Sequence, residues 1–516
     1  MFPAYPFKKT AGCAAAVLLA AAAPFRAAAG DLSLAEAVER TLGDEPGVEI
    51  QQQAVRSTEG LWQSASGAFD WNVLGSLSDA HSRQAVPPFA GPFAVETSES
   101  GAASLGVARE FRSGIEVEPL FSVDDLENNT TARSRAAYSN MSVLLTVPLL
   151  RGLGAESADA VESAARLGLD AQRASARFAI ESQVYGTLVA YWGAQAARQS
   201  LQAVQEAAGR GREIAAVVDS FTRSGIMDDG LRSRAQAVVA DYDRQAADSE
   251  LAYFQARQAL AVAIGLPAEE LIRAPAPAGD LPPPPAAVPD AALAGRFVDE
   301  SLRHRGDYGA LLKAAAEARV LERKAELDLR PELDLSAQVG YAGGAASASS
   351  RAGGALSSFS QNVNGPAGQV GLSLAWPVEN NVARGNLATQ RAQARIAALN
   401  ATQSGQAIVS NVLVCFASFQ VAMRDYDLAR LAVAKYRVAA DSENAKVRRG
   451  DSSLNDLIVV EQSYVAARLA AVTAQYDCAL SVARLRLASG LLSVESAGKL
   501  SFDLGQLGAL PTFSTP

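Results

Sequence analysis

The sequence predicts a mostly helical fold that also carries membrane-spanning β-strands and is built from an internally duplicated chain. Three observations predict it. Two Ala-rich stretches are far longer than ordinary helices, several short segments alternate between apolar and small or polar residues, and landmark residues recur at nearly constant spacing along the 516-residue chain.

The duplication is visible in the spacing of turn residues. The interval from Pro148 to Pro377 is nearly the same as the interval from Gly225 to Gly450. A Pro-rich segment, a stiff and extended kind of linker, separates the two halves. The predicted organisation is a signal peptide at 1–30, a first structural repeat at 31–273, a linker at 274–289, a second repeat at 290–492 and a tail at 493–516.

The helical stretches dominate each half. Residues 156–223 contain no Pro, and as one continuous helix they would extend roughly 100 Å. Residues 384–448 repeat the pattern in the second half. Antiparallel partners are expected after the Gly turns, at 228–264 and 452–489. Helices of this length favour coiled-coil packing.

The alternating segments predict strands. In 333–341 and 370–376, apolar residues alternate with polar or small ones, and 141–147 behaves in the same way. Such a pattern over about ten residues is typical of a membrane barrel strand, although a half-buried soluble sheet produces it too. Two further candidates lie near 103–111 and 114–122, as an additional hairpin at the barrel or the surface.

The N-terminus indicates export. Lys8 and Lys9 precede a short apolar run at 11–23, and Ala27 to Ala29 offer a cleavage site, so residues 1–30 are expected to be a secretory signal. No later stretch reads as a transmembrane helix, so membrane contact is expected to use strands.

The composition excludes several function classes. Lys and Arg number 46 against 55 Asp and Glu, and this net charge of −9 argues against a nucleic-acid partner. Two His and three Cys are too few and too scattered for a metal or haem centre. No nucleophile elbow or phosphate loop is present. We therefore expect no enzyme activity, no cofactor and no metal.

With these features in place, the chain resembles the TolC family of outer-membrane channel proteins. The segment 147–152, VPLLRG, is similar to the strand-to-helix junction of that family in the first half, and 376–385, WPVENNVARG, is similar to the second. The series Gly450, Asp456 and Glu461 is similar to its periplasmic turn. The junction residues that the resemblance identifies are Pro148, Gly152 and Pro377.

The resemblance implies a homotrimeric tube, in which a β-barrel in the outer membrane is continued by a long α-helical barrel across the periplasm of a Gram-negative-type bacterium. Twelve helices at about 10 Å spacing would enclose a tube a little under ~40 Å wide. The implied function is a passive exit duct for efflux or type I secretion. Its partners would be a periplasmic adaptor (membrane fusion) protein, an inner-membrane transporter and outer-membrane lipid.

The resemblance also implies a gate and a docking site at the helix turns. Threefold symmetry would turn Asp456 into a ring of three carboxylates, with Asp228 and Asp229 nearby in the first half. A second acid of the family's pattern is absent here, because that position is Val459. Asp456 could equally be a solvated helix-start acid. The adaptor-docking turns would be Gly225 and Ile226 in the first half, and Gly450 and Asp451 in the second.

A second interpretation has no pore. Long helices alone would also suit a structural coiled-coil protein of the cell envelope. The alternating strands speak against it, and a water-soluble mature chain would favour it.

Overall fold

The architecture is a β-sheet standing at one end of a row of long helices. The computed structural model describes the following residues: 31–86, 94–128, 134–225, 228–285, 292–346, 357–358, 365–449, 451–496, 499–503, 505 and 507–511. The expected secretory signal at 1–30, and the turn residues Ile226 and Gly450, lie outside them.

The main sheet has six strands, all antiparallel, in the order in which they follow one another along the chain. The first half contributes four strands and the second half two, so the candidates near 103–111 and 114–122 both lie in the sheet. A small separate hairpin, β7 with β8, lies near the C-terminus. The strands are β1 Asn72–Val86, β2 Ala94–Glu110, β3 Glu116–Asn128, β4 Ser134–Pro148, β5 Glu332–Ala346, β6 Gly365–Ala375, β7 Val494–Ser496 and β8 Lys499–Ser501.

The helices form two antiparallel hairpins, with shorter helices at the end nearer the sheet. The hairpins are α4 with α5 and α8 with α9, and α4 and α8 contain 64 and 69 residues. The bounds are α1 Leu34–Asp44, α2 Pro46–Ser66, α3 Ala155–Ala158, α4 Ala160–Arg223, α5 Asp229–Ala263, α6 Leu293–His304, α7 Gly306–Leu327, α8 Asn381–Arg449 and α9 Leu454–Ala488.

Four helices lie side by side at each level. Near the sheet, α2 packs on α4, α4 on α7, and α7 on α8. Toward the helix tips, α5 packs on α4, α4 on α9, and α9 on α8. The helices α2 and α5 therefore share one side of the row, and α8 occupies the other side throughout.

Two glycines stack the shorter helices on the longer ones. Gly265 ends α5 with φ +74°, and a Cβ there would lie 2.6 Å from the backbone of Asp44. Gly490 ends α9 with φ +71°, and a Cβ there would lie 2.9 Å from the backbone of Arg305. Only glycine fits such a left-handed, crowded helix end. The separation of these two glycines along the chain is the same as that of the two turn glycines at the helix tips.

The main core lies where these stacked helices meet. Tyr191 and Trp192 of α4 are buried against Leu260 of α5, and Leu507 from the C-terminal tail is fully buried in the same cluster. The Tyr191 hydroxyl donates to the carbonyl oxygens of Leu32 and Ala278, at 2.9 and 2.8 Å. The start of the Pro-rich segment and the tail thus both pack against the long helices.

Two helices, α8 and α9, each contain a stretch long and apolar enough to cross a membrane. The expectation that no such stretch follows the leader is therefore wrong by length and composition. Part of each stretch is buried within the chain, and core helices of soluble proteins pass the same test. Helix packing within the chain buries only part of these apolar residues, and others, such as Leu399 and Val421 of α8, are exposed.

Candidate functional site: the two-faced sheet and the helix tips

One face of the six-stranded sheet is an exposed apolar surface. The strand register places the odd-numbered residues of β1 to β5 and the even-numbered residues of β6 on it. Leu77 is 87% exposed and Val370 is 76% exposed, although both side chains are apolar. We call this the apolar face, and its central residues are Val73, Leu77, Leu105, Val107, Val117, Phe121, Val123, Met141, Val143, Leu145, Leu335, Val339, Tyr341, Val370, Leu372 and Leu374.

The opposite face, which we call the polar face, is lined mainly by Ser, Gly, Ala and Gln. Ser336, Gln338 and Ser373 all lie on it. Gln338 Nε2 donates to Ser142 Oγ at 3.0 Å, and the hydroxyls of Ser76 and Ser104 are 2.8 Å apart. These side chains bond across neighbouring strands and suit contact with water.

The polar face is also acidic. Among the described strand residues on this face there is no Lys, Arg or His. A water-filled space bounded by such a face attracts cations. The acidic residues are Glu96, Glu110, Glu116, Glu118, Asp124, Glu332 and Asp334.

Aromatic residues mark the helical end of the apolar face. Trp71 immediately precedes β1, Phe111 follows β2, and Trp376 follows β6, and all three side chains are exposed. The guanidinium of Arg109 lies 5.2 Å from the ring centre of Trp71 and 5.1 Å from that of Phe111. Aromatic rings and an Arg at one level are typical of a membrane–water interface.

The turn between β2 and β3 is fastened to the start of the helices. Arg112 donates from Nε and Nη2 to the carboxylate of Glu162 on α4, at 2.6 and 2.7 Å. Its guanidinium also lies 4.8 Å from the ring centre of Phe69. The two hydrogen bonds from Arg112 lower the pKa of Glu162. This turn is therefore part of the sheet-to-helix junction.

The expected junction residues occupy strand ends. Pro148 is the last residue of β4 and pairs with Asp334 of β5. Gly152 has φ +89°, and its carbonyl oxygen lies so close to Gly114 that a Cβ on Gly114 would be 2.1 Å away. Pro377 follows two residues after the end of β6. The chain thus leaves each strand through a constrained turn before the long helix begins.

At the helix tips, the expected acidic residues lie at helix starts: Asp228 is the N-cap of α5, whereas Asp456 and Asp229 lie in first turns. Asp228 precedes α5 and accepts from the backbone N–H of Leu231 at 2.8 Å. Asp456 accepts from Ser453 Oγ at 2.7 Å, and Ser453 Oγ accepts from the Asp456 N–H at 3.2 Å. This is the geometry of a helix-start acid, and the Asp456 side chain is still exposed. Asp229 is exposed in the first turn of α5.

The turn residues lie beside these caps. Gly225 follows α4 with φ +75°, the backbone conformation that its expected role as a turn requires. Asp451 lies 3.1 Å from Arg449 Nε in an exposed pair. Among the described residues, no hydrogen bond or ion pair joins the acids of one tip to those of the other.

Two ion pairs between the helical hairpins were not predicted. Arg210 of α4 donates to Glu461 of α9 at 3.1 Å, and Glu206 of α4 pairs with Arg468 of α9. The carboxylate of Glu461 is almost buried. Burial and the nearby Glu461 raise the pKa of Tyr242 on α5 to about 12. The sequence singled out Glu461 only within the series similar to a periplasmic turn, since no local pattern indicates a partner in the other half of the chain.

An apolar cluster joins the hairpins nearer to their tips. Val218 of α4 and Ala235 of α5 are buried against Val447 of α8 and Leu457 of α9. All four long helices contribute to the cluster. Together with the ion pairs, it holds the two tips of one chain against each other.

The comparisons with known proteins bear on the second half and on the fold. The family described as "Outer membrane efflux protein" matches residues 309–491. No curated protein matches this chain by sequence.

Several solved structures share the fold. The outer membrane protein VceC from Vibrio cholerae is 17% identical, with a TM-score of 0.63, and the match covers 89% of this chain and 96% of that chain. The open state of the MtrE outer membrane channel of Neisseria gonorrhoeae is 17% identical, with a TM-score of 0.61 and 89% coverage of both chains. The CmeC outer membrane channel of Campylobacter jejuni is 15% identical, with a TM-score of 0.62, and covers 89% of this chain and 85% of that chain.

These matches confirm the resemblance to the TolC family. At such identities the solved structures establish the fold, and the family match independently names an outer membrane efflux domain. Both the family and the fold are those of channels rather than enzymes.

Proposed function

We propose, from the premise that residues 309–491 form an outer membrane efflux protein domain, that the whole chain is the outer-membrane exit duct of an efflux or type I secretion system. The single observation that carries this proposal is the two-faced sheet at the end of the long helices. An exposed apolar face backed by an acidic polar face suits lipid on one side and water on the other.

Three copies would form the tube. Lipid does not tolerate an open sheet edge, so a six-stranded sheet with an exposed apolar face must be closed by further copies. Each copy would add its row of four helices below the membrane. The resulting homotrimer would be a β-barrel in the outer membrane continued by an α-helical barrel in the periplasm.

Conduction would be passive and would favour cations. With the polar face turned inward, Glu110, Glu116 and Glu118 of each chain would face the water-filled space. Threefold symmetry would multiply every such carboxylate by three. No bond chemistry is required, because the work of transport would come from an inner-membrane transporter.

The helix tips would form the gate and the docking site. Asp456, Asp228 and Asp229 would form an acidic rim at the periplasmic aperture, and Asp228 also caps α5. The turns at 225–226 and 450–451 would receive the hairpin of a periplasmic adaptor protein. The adaptor would in turn connect the duct to the inner-membrane transporter.

The pairs between hairpins would act as a latch. Opening the aperture requires the tips to move apart, and the Arg210–Glu461 pair holds α4 against α9 within each chain. The apolar cluster around Val218 and Leu457 adds to this attachment. In the resting duct both contacts would be intact.

The test is to measure currents from the purified, processed protein in a planar lipid bilayer, under a salt gradient. The proposal predicts discrete steps and a reversal potential that favours cations. Glu118→Gln should weaken that preference, because it removes three charges from the lumen. The matched control Glu59→Gln, on α2 where Glu59 pairs with Arg173 of α4 away from the sheet, should leave it unchanged.

Two outcomes would contradict the proposal. A folded, water-soluble protein without conductance would favour a structural coiled-coil protein of the envelope. Steps with no cation preference, unaltered by Glu118→Gln, would overturn the assignment of the polar face to the lumen.

A further inference from the structure

The two edges of the sheet are open. β1 and β6 each have a strand neighbour on one side, and no second neighbour among the described residues. The apolar face reaches both edges, at Leu77 on β1 and at Leu372 on β6. A lipid-exposed edge leaves a row of backbone N–H and C=O groups without partners, which a membrane does not tolerate.

The two edges belong to opposite sides of the chain. β1 follows α2, and α2 with α5 forms one side of the helix row. β6 leads into α8, which forms the other side. Both sides carry exposed apolar residues, such as Leu61 and Phe254 on the first and Leu399 and Val421 on the second. Two different and complementary sides fit a head-to-tail ring of copies of this chain.

The positions of β1 and β6 relative to the helical end of the sheet fix the register in which the two strands would pair. β1 begins at Asn72, next to Trp71, and β6 ends at Ala375, next to Trp376. Both tryptophans lie at the helical end of the apolar face. Placing Asn72 beside Ala375 of the next copy also places Ser78 beside Gln369, and it keeps both apolar faces on the same side of the joined sheet.

This register gives the strand tilt of a membrane barrel. Within one chain, following the paired residues from each strand to the next leads from Leu74 of β1 to Ala367 of β6. In the intermolecular register Leu74 lies beside Ser373, six residues farther along β6. A shift of six residues over six strands, with a rise of about 3.3 Å and a spacing of about 4.8 Å, gives a tilt of about 35°. Membrane barrels have tilts of about 35–45°.

The width of the sheet matches the width of the helix row. Six tilted strands span an arc of about 35 Å, and four helices at about 10 Å spacing span about 40 Å. Four strands would span only about 23 Å. Only the six-stranded contribution lets the strand barrel continue the helical tube without a marked taper.

We propose that β1 of one copy pairs antiparallel with β6 of the next, so that three copies close an eighteen-stranded barrel. The proposal rests on the proposed duct function and adds the geometry of its exit. The backbone diameter would be about 34 Å, against about 23 Å for twelve strands. The β2–β3 hairpin is what widens the exit, so the duct suits cargo as wide as the helical tube itself admits.

The test is disulfide cross-linking of the full-length protein in isolated outer membranes. Ser78→Cys combined with Gln369→Cys places two thiols opposite each other in neighbouring copies. Mild oxidation should give covalent dimers and trimers on a denaturing gel without reductant. The control Ser78→Cys with Ser373→Cys is displaced by four residues, about 13 Å, which is beyond disulfide reach. It should stay monomeric, as should each single variant.

A third double variant tests the alternative barrel. If the β2–β3 hairpin lay outside the barrel, β1 would pair with β4 of its own chain. Ser78→Cys with Ser142→Cys would then form an intramolecular disulfide, although β1 and β6 would still be the two edges and the Ser78–Gln369 pair would still cross-link neighbouring copies. That intramolecular disulfide, in membranes whose channels still conduct, would overturn the eighteen-stranded barrel alone. Absence of channel conductance in the wild-type protein would instead overturn the proposed duct function.

Discussion

Arg112 and Glu162 join the β2–β3 hairpin to the first long helix through two parallel hydrogen bonds of 2.6 and 2.7 Å. The hairpin turn is therefore attached directly at the point where the sheet meets α4. A hairpin attached in this way moves with the rest of the sheet and with the helices.

Loss of this attachment should loosen the turn. Arg112→Ala removes both hydrogen bonds and the contact with Phe69, so chymotrypsin should cleave after Phe111 several-fold faster in detergent-solubilised protein. Arg112→Lys keeps the charge but not the paired geometry and should be intermediate. Cleavage of Arg112→Ala at the wild-type rate would show that the pair does not hold the turn.

The same pair should depend on pH. Because the folded-state pKa of Glu162 is lowered, its stabilising contribution is fully present above the ordinary glutamate pKa of about 4.3. It should be lost as the pH falls through the lowered value. Wild-type protection at Phe111 should therefore fall in acid, while Arg112→Ala should lack that part of the pH dependence. If cleavage at Phe111 changed with pH in the same way in wild type and Arg112→Ala, the Arg112–Glu162 pair would not be the cause of the pH dependence.

Substitutions on adjacent residues of β6 should distinguish the two faces. Leu372→Arg places a cation on the apolar face, which costs up to about 2–4 kcal/mol at the membrane mid-plane and less near the interface. Ser373→Arg places it on the polar face, where it should be tolerated but reduce cation preference. Folding yield in lipid vesicles and reversal potentials measure the two effects. Equal loss of folding in both variants would contradict the assignment of faces.

The latch should control the closed state. Arg210→Ala leaves the nearly buried Glu461 carboxylate without its main partner, which typically costs about 2–5 kcal/mol for a buried pair and less here because Arg210 is partly exposed. Open probability in bilayers should rise. The swapped pair Arg210→Glu with Glu461→Arg should restore closure. As a control, Arg244→Ala breaks only two exposed pairs within α5, with Asp241 and Asp248, and should not change gating. An unchanged open probability in Arg210→Ala would show that the Arg210–Glu461 pair does not keep the duct closed.

The stacked-helix glycines should not accept a side chain. Gly265→Ala and Gly490→Ala each force a left-handed backbone on alanine, which costs about 1–2 kcal/mol before any clash with the neighbouring backbone is counted. Thermal unfolding should shift downward in both. Gly209→Ala in the middle of α4, with open space around it, should instead be neutral or stabilising by up to about 1 kcal/mol. Equal unfolding temperatures for Gly265→Ala, Gly490→Ala and Gly209→Ala would refute the role of Gly265 and Gly490 in stacking the helices.

Much of the fold was predictable because its signals are local. The spacing of Pro148 and Pro377 and of Gly225 and Gly450 marks the duplicated order, and the polarity of 333–341 marks a two-faced strand. The signals in β2 and β3 are weaker, because Ser and Gly in β2 blur its alternation and Pro119 interrupts β3. Their place in the sheet became clear only from the register with β1 and β4.

The candidate site was less predictable because its contacts are distant in sequence. Arg112 meets Glu162 and Arg210 meets Glu461 only once the strands and the long helices have been folded against one another. The helix-start acids Asp228 and Asp456 were found by their position after a turn. Whether such acids also meet across a threefold axis depends on neighbouring copies, and a single sequence carries no local mark of that.

Electron cryo-microscopy of the protein purified from outer membranes into lipid nanodiscs tests the central claim most directly. The account predicts a threefold tube whose strand barrel has eighteen strands and a backbone diameter of about 34 Å, continuous with twelve helices below the membrane. A single chain with an open sheet edge, or helical rods with no density inside the lipid, would contradict it.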